Sequence, residues 1–131
     1  MKVSKFAGAC VIKDEKILLV QEAHKEAYGL WSLPLGHVDD DEKESETAKR
    51  ETKEETGYDI VVGQSKKLNI DGVNFKSTSN FNDHQIELTI FNASIKDGNL
   101  LKGDDILDAK WFFLSEINQL PLRGVWINCF I

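Results

Sequence analysis

The stretch Gly36–Tyr58, GHVDDDEKESETAKRETKEETGY, decides how the rest of the chain is read. Gly36 is followed by five residues and then Glu42; seven more lead to Arg50-Glu51, and Glu54, Glu55 and Gly57 close the segment. Glu51, Glu54 and Glu55 stand at i, i+3 and i+4, so a helix places their carboxylates on one face. Carboxylates converging in this way repel one another unless a cation sits among them. Hard divalent ions such as magnesium take oxygen ligands of this kind and keep room for waters and phosphate oxygens. The Glu-, Lys- and Ala-rich composition predicts a helix over Glu42–Thr56 with Gly57 as its C′ residue. Its inward stripe is Ala48 and Thr52, joined by Ser45, all small, so the helix must lie close against a sheet.

Outward from this helix the pattern is mostly β. Val3–Ile12 and Ile17–Val20 are apolar runs joined at Asp14-Glu15-Lys16, which reads as a hairpin. A polar loop over Gln21–Leu30 leads to a short strand at Trp31–Leu35, where Pro34 suits a strand end because it cannot donate to a ladder. Tyr58–Val62, Lys67–Phe75 and Gln85–Ser94 read as three further strands, Asp97–Asp105 as a polar loop, and Ala109–Leu114 as a buried strand. Pro121–Ile131, PLRGVWINCFI, fits helix and strand equally. A mixed sheet with one strong helix and a second near the C-terminus makes the fold class α+β.

A chain of 131 residues makes a single domain over 1–131 with a core of its own. No apolar run is long enough to span a bilayer, and MKVSKFAGACVIKDEK lacks a secretory h-region, so a cytoplasmic address is expected. Cys10 and Cys129 form no metal-binding spacing and are expected as free buried thiols. The net charge is −6, and nine of the 22 acidic residues fall between Asp39 and Glu55. With no basic stripe, long nucleic acid is excluded as a partner. A small polyphosphate complexed to metal remains, because bound cations reverse the local charge of an acidic pocket.

The spacing resembles the Nudix box, G-x5-E-x7-R-E-U-x-E-E-x-G-U with U apolar. Gly36, Glu42, Arg50, Glu51, Glu54, Glu55 and Gly57 fill all its fixed positions. Seven such positions coincide by chance on the order of once in 10⁸ windows at average residue usage. WSLPLG before the box and AKWFFLSEI near the end are similar to the family's flanking strands. Two positions depart from the pattern. Leu35 stands where Gly or Ala is frequent, and Thr52 replaces an aliphatic residue. The Thr52 methyl can still pack while its hydroxyl bonds back to the preceding helical turn.

The resemblance implies an α/β/α sandwich and hydrolysis of a diphosphate linkage by water, assisted by magnesium or manganese. It implies Glu54 and Glu55 as metal ligands and Glu51 as either a third ligand or the group that orients or deprotonates the water. It also implies a backbone carbonyl of Leu35 or Gly36 as a further ligand. Arg50 is expected to orient the box carboxylates through a bidentate pair. Glu46, at i−4 from Arg50, reads as an ordinary helix partner, and Glu42 as a charge suited to the helix N-terminus. One more acid from a later loop is implied, with Asp104, Asp105 and Glu87 as candidates. Trp31, Tyr28 and His37 are the candidate substrate-binding residues, with Phe75 and Phe81 as further stacking aromatics. His24 and His84 stand isolated.

The substrate is far less constrained. Signatures of the ADP-ribose, NADH and coenzyme A branches are missing, which leaves a MutT-like hydrolase of a nucleoside di- or triphosphate. ADP-ribose, dinucleoside polyphosphates and other nucleoside diphosphate derivatives are the alternatives, followed by a nucleotide-sensing module without catalysis. The tail VWINCFI reads equally as core or as the surface of a homodimer.

Overall fold

The structure, a computed structural model, describes residues 2–131. The chain runs through β1 (Lys2–Lys13), β2 (Lys16–Glu22), β3 (Trp31–Ser32), β4 (Leu35–His37), helix α1 (Glu44–Thr56), β5 (Tyr58–Asp71), β6 (His84–Gly98) and β7 (Ile106–Phe113). Asp14 and Glu15 both take positive φ, 53° and 64°, which makes the β1–β2 connection a tight hairpin turn whose twist matches the strands. The sheet order is β3-β2-β1-β6-β5, with β4 added beside β1 and β7 beside β2. β1 pairs β6 in parallel and its other neighbours antiparallel, so the sheet is mixed as expected.

Both faces of the sheet are covered, because side chains alternate along β1. Phe6 and Cys10 join the larger core with Leu19, Phe75, Leu88 and Trp126. The small Ala7 and Ala9 accompany the helix packed on β1, β4 and β5, whose buried residues are Thr47, Ala48, Thr52 and Thr56. Small against small brings α1 close to the sheet, where a short apolar stripe suffices to dock it. Ser45 is only half-buried, and Thr47 and Thr56 complete the stripe instead.

Several sequence expectations shift. The helix begins at Glu44, two residues later than expected, and Glu46 Oε1 accepts the Lys43 N–H at 3.0 Å as a cap. Tyr58–Val62 and the first part of Lys67–Phe75 merge into the single strand β5, which ends at Asp71 and leaves residues 72–75 in a turn. Its pairing with β6 slips between Asp59 and Ile60 and between Val62 and Ser65. Trp31–Leu35 is split in two, because β3 pairs β2 whereas β4 pairs β1. The second helical layer consists of two 3-10 segments, Leu114–Gln119 and Val125–Phe130, rather than an α-helix. The second of these contributes Trp126, Ile127 and Phe130 to the core and leaves Val125 85 % exposed. Cys10 is buried, which pushes its thiol up to about 11, whereas Cys129 is exposed, contrary to the expectation of two buried thiols. Among the described residues no helix is long and apolar enough to cross a membrane.

Candidate active site

The site is assembled where β4 hands the chain to α1. His37 ends β4, the loop 38–43 turns back, and α1 then runs across the sheet. Arg50 ties these pieces together. Its Nε donates to Glu42 Oε2 at 2.8 Å and its Nη2 to Glu42 Oε1 at 2.9 Å, a bidentate pair of the kind that fixes both partners. Nη2 also donates to the His37 carbonyl at 3.3 Å, and Nη1 reaches Glu51 at 3.1 Å and Glu54 at 3.4 Å. One guanidinium thus joins the incoming loop to two box carboxylates. Glu42 is this partner rather than the residue that opens the helix, and Glu46 is occupied at the cap. The Arg50 hydrogen bonds hold the Glu42 carboxyl down at about 2, and the same pair raises Arg50.

Gly36 lies directly against Glu51. A Cβ on Gly36 would come within 2.1 Å of the Glu51 carboxyl carbon, so only glycine leaves that carboxylate in place. At the other end Gly57 takes φ 83° and donates to Lys53 O, a left-handed cap that β-carbons disfavour. The two box glycines therefore serve separate ends of the acidic face, one for contact and one for termination.

Burial raises Glu51, and the Glu54 charge adds to it while Arg50 opposes. Glu55 is pushed well above the ordinary carboxylate range by burial first and then by the charges of Glu22 and Glu51. Its Oε1 is buried with no hydrogen-bond partner among the described residues. An orphaned carboxylate oxygen amid like charges is a position that a cation would satisfy, and an all-oxygen donor set fits magnesium or manganese. Among the described residues no three acidic, His or Cys side chains converge on one point. Thr52 stands beneath this face with its hydroxyl buried and without a hydrogen-bond partner among the described residues. The back-bond expected of it is made by Thr56, which donates to Thr52 O at 2.7 Å.

Two cavities border the acidic face. The outer one, about 670 Å³, is lined by Glu54 with Lys53, Lys102, Asp104 and Asp105. The inner one, about 230 Å³, is lined by Leu35, Gly36, His37 and Phe81 together with Glu22 and Arg123. Asp104 and Asp105 are thus brought to the box, whereas Glu87 is engaged by Lys67 at 3.0 Å, which lowers its carboxyl. His37 also reaches the site. Trp31 does not: it is buried edge-on against Phe112, because β3 needs its bulk in the core. Tyr28 is 65 % exposed and lines neither cavity. Phe75 is fully buried under Arg123, so of the two further stacking candidates Phe81 is the one that lines the pocket.

The sequence reading misses three residues here. Glu22, His24 and Arg123 meet beside Gly36, with Arg123 Nη1 3.2 Å from Glu22 Oε2 and His24 Nδ1 3.2 Å from the same oxygen. The Glu22 contact raises His24, and burial lowers Arg123 against the opposing pull of Glu22 and Glu55. One signal was present: Arg123 is the only charged residue in the apolar tail, and a lone charge in such a run needs a buried partner.

Comparison with known proteins places these features in context. The family model of the NUDIX domain matches residues 5–128. A putative nudix hydrolase 1 of Caenorhabditis elegans is 31 % identical over 130 residues, covering 93 % of this chain and 33 % of that protein. An ADP-ribose pyrophosphatase of Methanocaldococcus jannaschii is 34 % identical over 109 residues, covering 83 % of this chain and 59 % of the relative. The chain therefore spans a third of the length of the first relative and less than two thirds of the second. The solved structure of a NUDIX hydrolase from Nitrosomonas europaea shares the fold with a TM-score of 0.82 at 21 % identity, over 98 % of this chain and 85 % of the other.

Proposed function

The chain belongs to the Nudix family, and from that premise we propose that it is a pyrophosphohydrolase of small nucleoside di- and triphosphates. The reaction is attack of water on phosphorus, with one phosphoanhydride bond broken and a nucleoside monophosphate and pyrophosphate released from a triphosphate. The observation that carries this reading is the acidic face itself. Arg50 holds Glu51 and Glu54, Glu55 presents an unpaired buried oxygen, and a cavity opens on either side. An acidic helix that merely faced solvent would need neither the Gly36–Glu51 contact nor the orphaned oxygen.

Glu54 and Glu55 are assigned as ligands of magnesium or manganese, with Glu51 beside them and a carbonyl of Leu35 or Gly36 completing the set. The cation, when bound, polarises the phosphoryl oxygens and lowers the pKa of its water. The protein's share is to pre-position these oxygens, which Arg50 does from the loop side and Gly36 from the strand side. Asp104 or Asp105 supplies the additional acid from the outer cavity. A chain of net charge −6 suits a metal-complexed nucleotide rather than a nucleic acid. We keep the cytoplasm as its compartment, in line with two unpaired cysteines.

A screen of nucleoside triphosphates, ADP-ribose, dinucleoside polyphosphates and nucleotide sugars with magnesium tests the reading. Release of monophosphate and pyrophosphate from triphosphates supports it. Turnover confined to ADP-ribose, the substrate named for one relative, would move the substrate assignment to that branch.

A further inference from the structure

A third cavity, about 370 Å³ and within the size range of small-ligand pockets, opens on the helix side of the sheet. Its lining shares Gly98 with the outer cavity and no residue with the inner one, and it contains none of the box acids. It exists because α1 is short. Thirteen residues make about 20 Å of helix, whereas the 15 residues of β6 make about 50 Å of strand. On β1, Lys13 follows Ala7, Ala9 and Val11 at alternate positions, on the side that α1 covers. Lys13 pairs with Lys16, Lys16 with Phe113 and Leu18 with Trp111, so all of these share that side. Past the C-terminal end of α1 the face is filled by aromatic rings instead. Trp111 and Tyr58 pack half-buried against Val11, Leu18 and Ile60. Their centroids are 6.0 Å apart at 63°, and Trp111 Nε1 donates to Tyr58 Oη at 3.2 Å. That uses the one donor of the indole and leaves the Tyr58 hydroxyl hydrogen without an acceptor among the described residues.

The rim of this cavity carries an unrelieved pair of like charges. Lys13 and Lys16 stand directly opposite each other at the end of the β1–β2 hairpin, an arrangement that costs stability. Although the chain has 22 acidic residues, neither lysine forms an ion pair among the described residues. Lys16 Nζ stands 4.7 Å over the Phe113 ring instead. Asp14 is the one acid in the lining; it sits in the turn at φ 53° and forms no ion pair with either lysine. The cavity therefore sets two ammonium groups against one carboxylate, in a chain of net charge −6.

We propose that this cavity is a second binding site, for a small anion that carries a flat ring, either an aromatic carboxylate or a phosphorylated ring. The anionic group lies between Lys13 and Lys16 and accepts from the Tyr58 hydroxyl, and the ring rests against Trp111 and Ile95. Each half of such a ligand answers one feature of the site. The anion offsets the repulsion across the hairpin, and the ring covers apolar surface that α1 is too short to reach. Neither half suffices alone. A bare anion meets ammonium groups at a solvent-screened rim, and an uncharged ring leaves the two lysines as they were. The site is independent of the hydrolase reading, because none of its residues belongs to the box.

The test follows the Trp111 Nε1–H resonance of the nitrogen-15-labelled chain, assigned by its loss in Trp111→Phe. Benzoate and phenyl phosphate supply the ring with a carboxylate or a phosphate, and phenol and inorganic phosphate supply each half alone. At least one of the two complete probes should shift and saturate the resonance, and the tighter of them identifies the anionic group. Phenol and inorganic phosphate should need concentrations at least about 10-fold higher. The double variant Lys13→Gln, Lys16→Gln should weaken the complete probes by about 10-fold or more. It should melt no earlier than wild type, since it removes the like-charge pair. Hydrolysis by the double variant should match wild type. A Trp111 resonance that no probe moves, or that moves equally in the double variant, overturns the assignment. So does a loss of hydrolysis in that variant, which would return the cavity to the box site, whereas a chain that splits no nucleotide but binds the probes upholds this site and overturns only the hydrolase reading.

Discussion

Gly36 and Glu51 touch so closely that a methyl group on Gly36 would sit 2.1 Å from the Glu51 carboxyl carbon. Gly36 is not among the residues with positive φ, so its need for glycine comes from this contact and not from backbone strain. The clashing atom ends a flexible side chain, which can move aside. Gly36→Ala should therefore leave the melting temperature nearly unchanged, since loss of glycine also removes unfolded-state entropy worth about 0.4–1 kcal/mol. Displacing Glu51 by about 1 Å should still lower kcat roughly 100-fold. A variant that melts far earlier, or that turns over normally, contradicts the contact as described.

The Arg50–Glu42 pair makes an acid-stability prediction. Glu42 is held at about 2 against its ordinary 4.5, so between those values the unfolded chain binds more protons than the folded one. The stability it contributes is complete above about pH 4.5 and is lost as pH falls through about 2. Glu42→Gln should flatten chemical-denaturation stability across that window. An unchanged pH dependence in the variant would show that the pair does not act on Glu42.

Glu55 carries the opposite sign. Its folded carboxyl is raised well above the ordinary range by burial and by Glu22 and Glu51. The folded chain then binds the extra proton, and stability in the absence of metal falls as pH rises from the unfolded value toward the folded one. Glu55→Gln should make the metal-free chain at least as heat-stable as wild type at pH 7 while abolishing any rise in Tm on adding magnesium. A destabilised variant that magnesium still protects contradicts the ligand role.

The outer cavity separates the later acids. Asp104 and Asp105 line it beside Glu54, whereas Glu87 is paired with Lys67. Asparagine at one of the two aspartates should reduce kcat about 10-fold or more, and Glu87→Gln should stay within about twofold of wild type. Reversal of that order, measured by pyrophosphate release, would relocate the additional acid.

The box was legible in the sequence because helical spacing and flanking glycines are local properties. The start of its helix was not, since Glu42 is drawn to Arg50 and Glu46 to the cap, choices that depend on where β4 delivers the chain. Trp31 looked like a stacking residue by its place before the box, but the swap from β2 to β1 across Pro34 turns it into the core. The pocket pair Glu22–Arg123 lies 101 positions apart and meets where a bridge sets Trp31 against Leu122. The lone charge of Arg123 in the apolar tail announces a buried partner but not which residue it is. The C-terminal layer misled in the same way, because two 3-10 turns bury Trp126, Ile127 and Phe130 without a helical repeat.

The most direct measurement is pyrophosphate release from nucleoside triphosphates with magnesium, comparing the wild-type chain with Glu54→Gln. Glu54 is the most exposed of the three box acids on the helix face and contributes little to folding, so the variant should melt like wild type. The account predicts turnover in the wild type and a loss of about 10²- to 10⁴-fold in the variant. Equal turnover by a folded Glu54→Gln chain would contradict it.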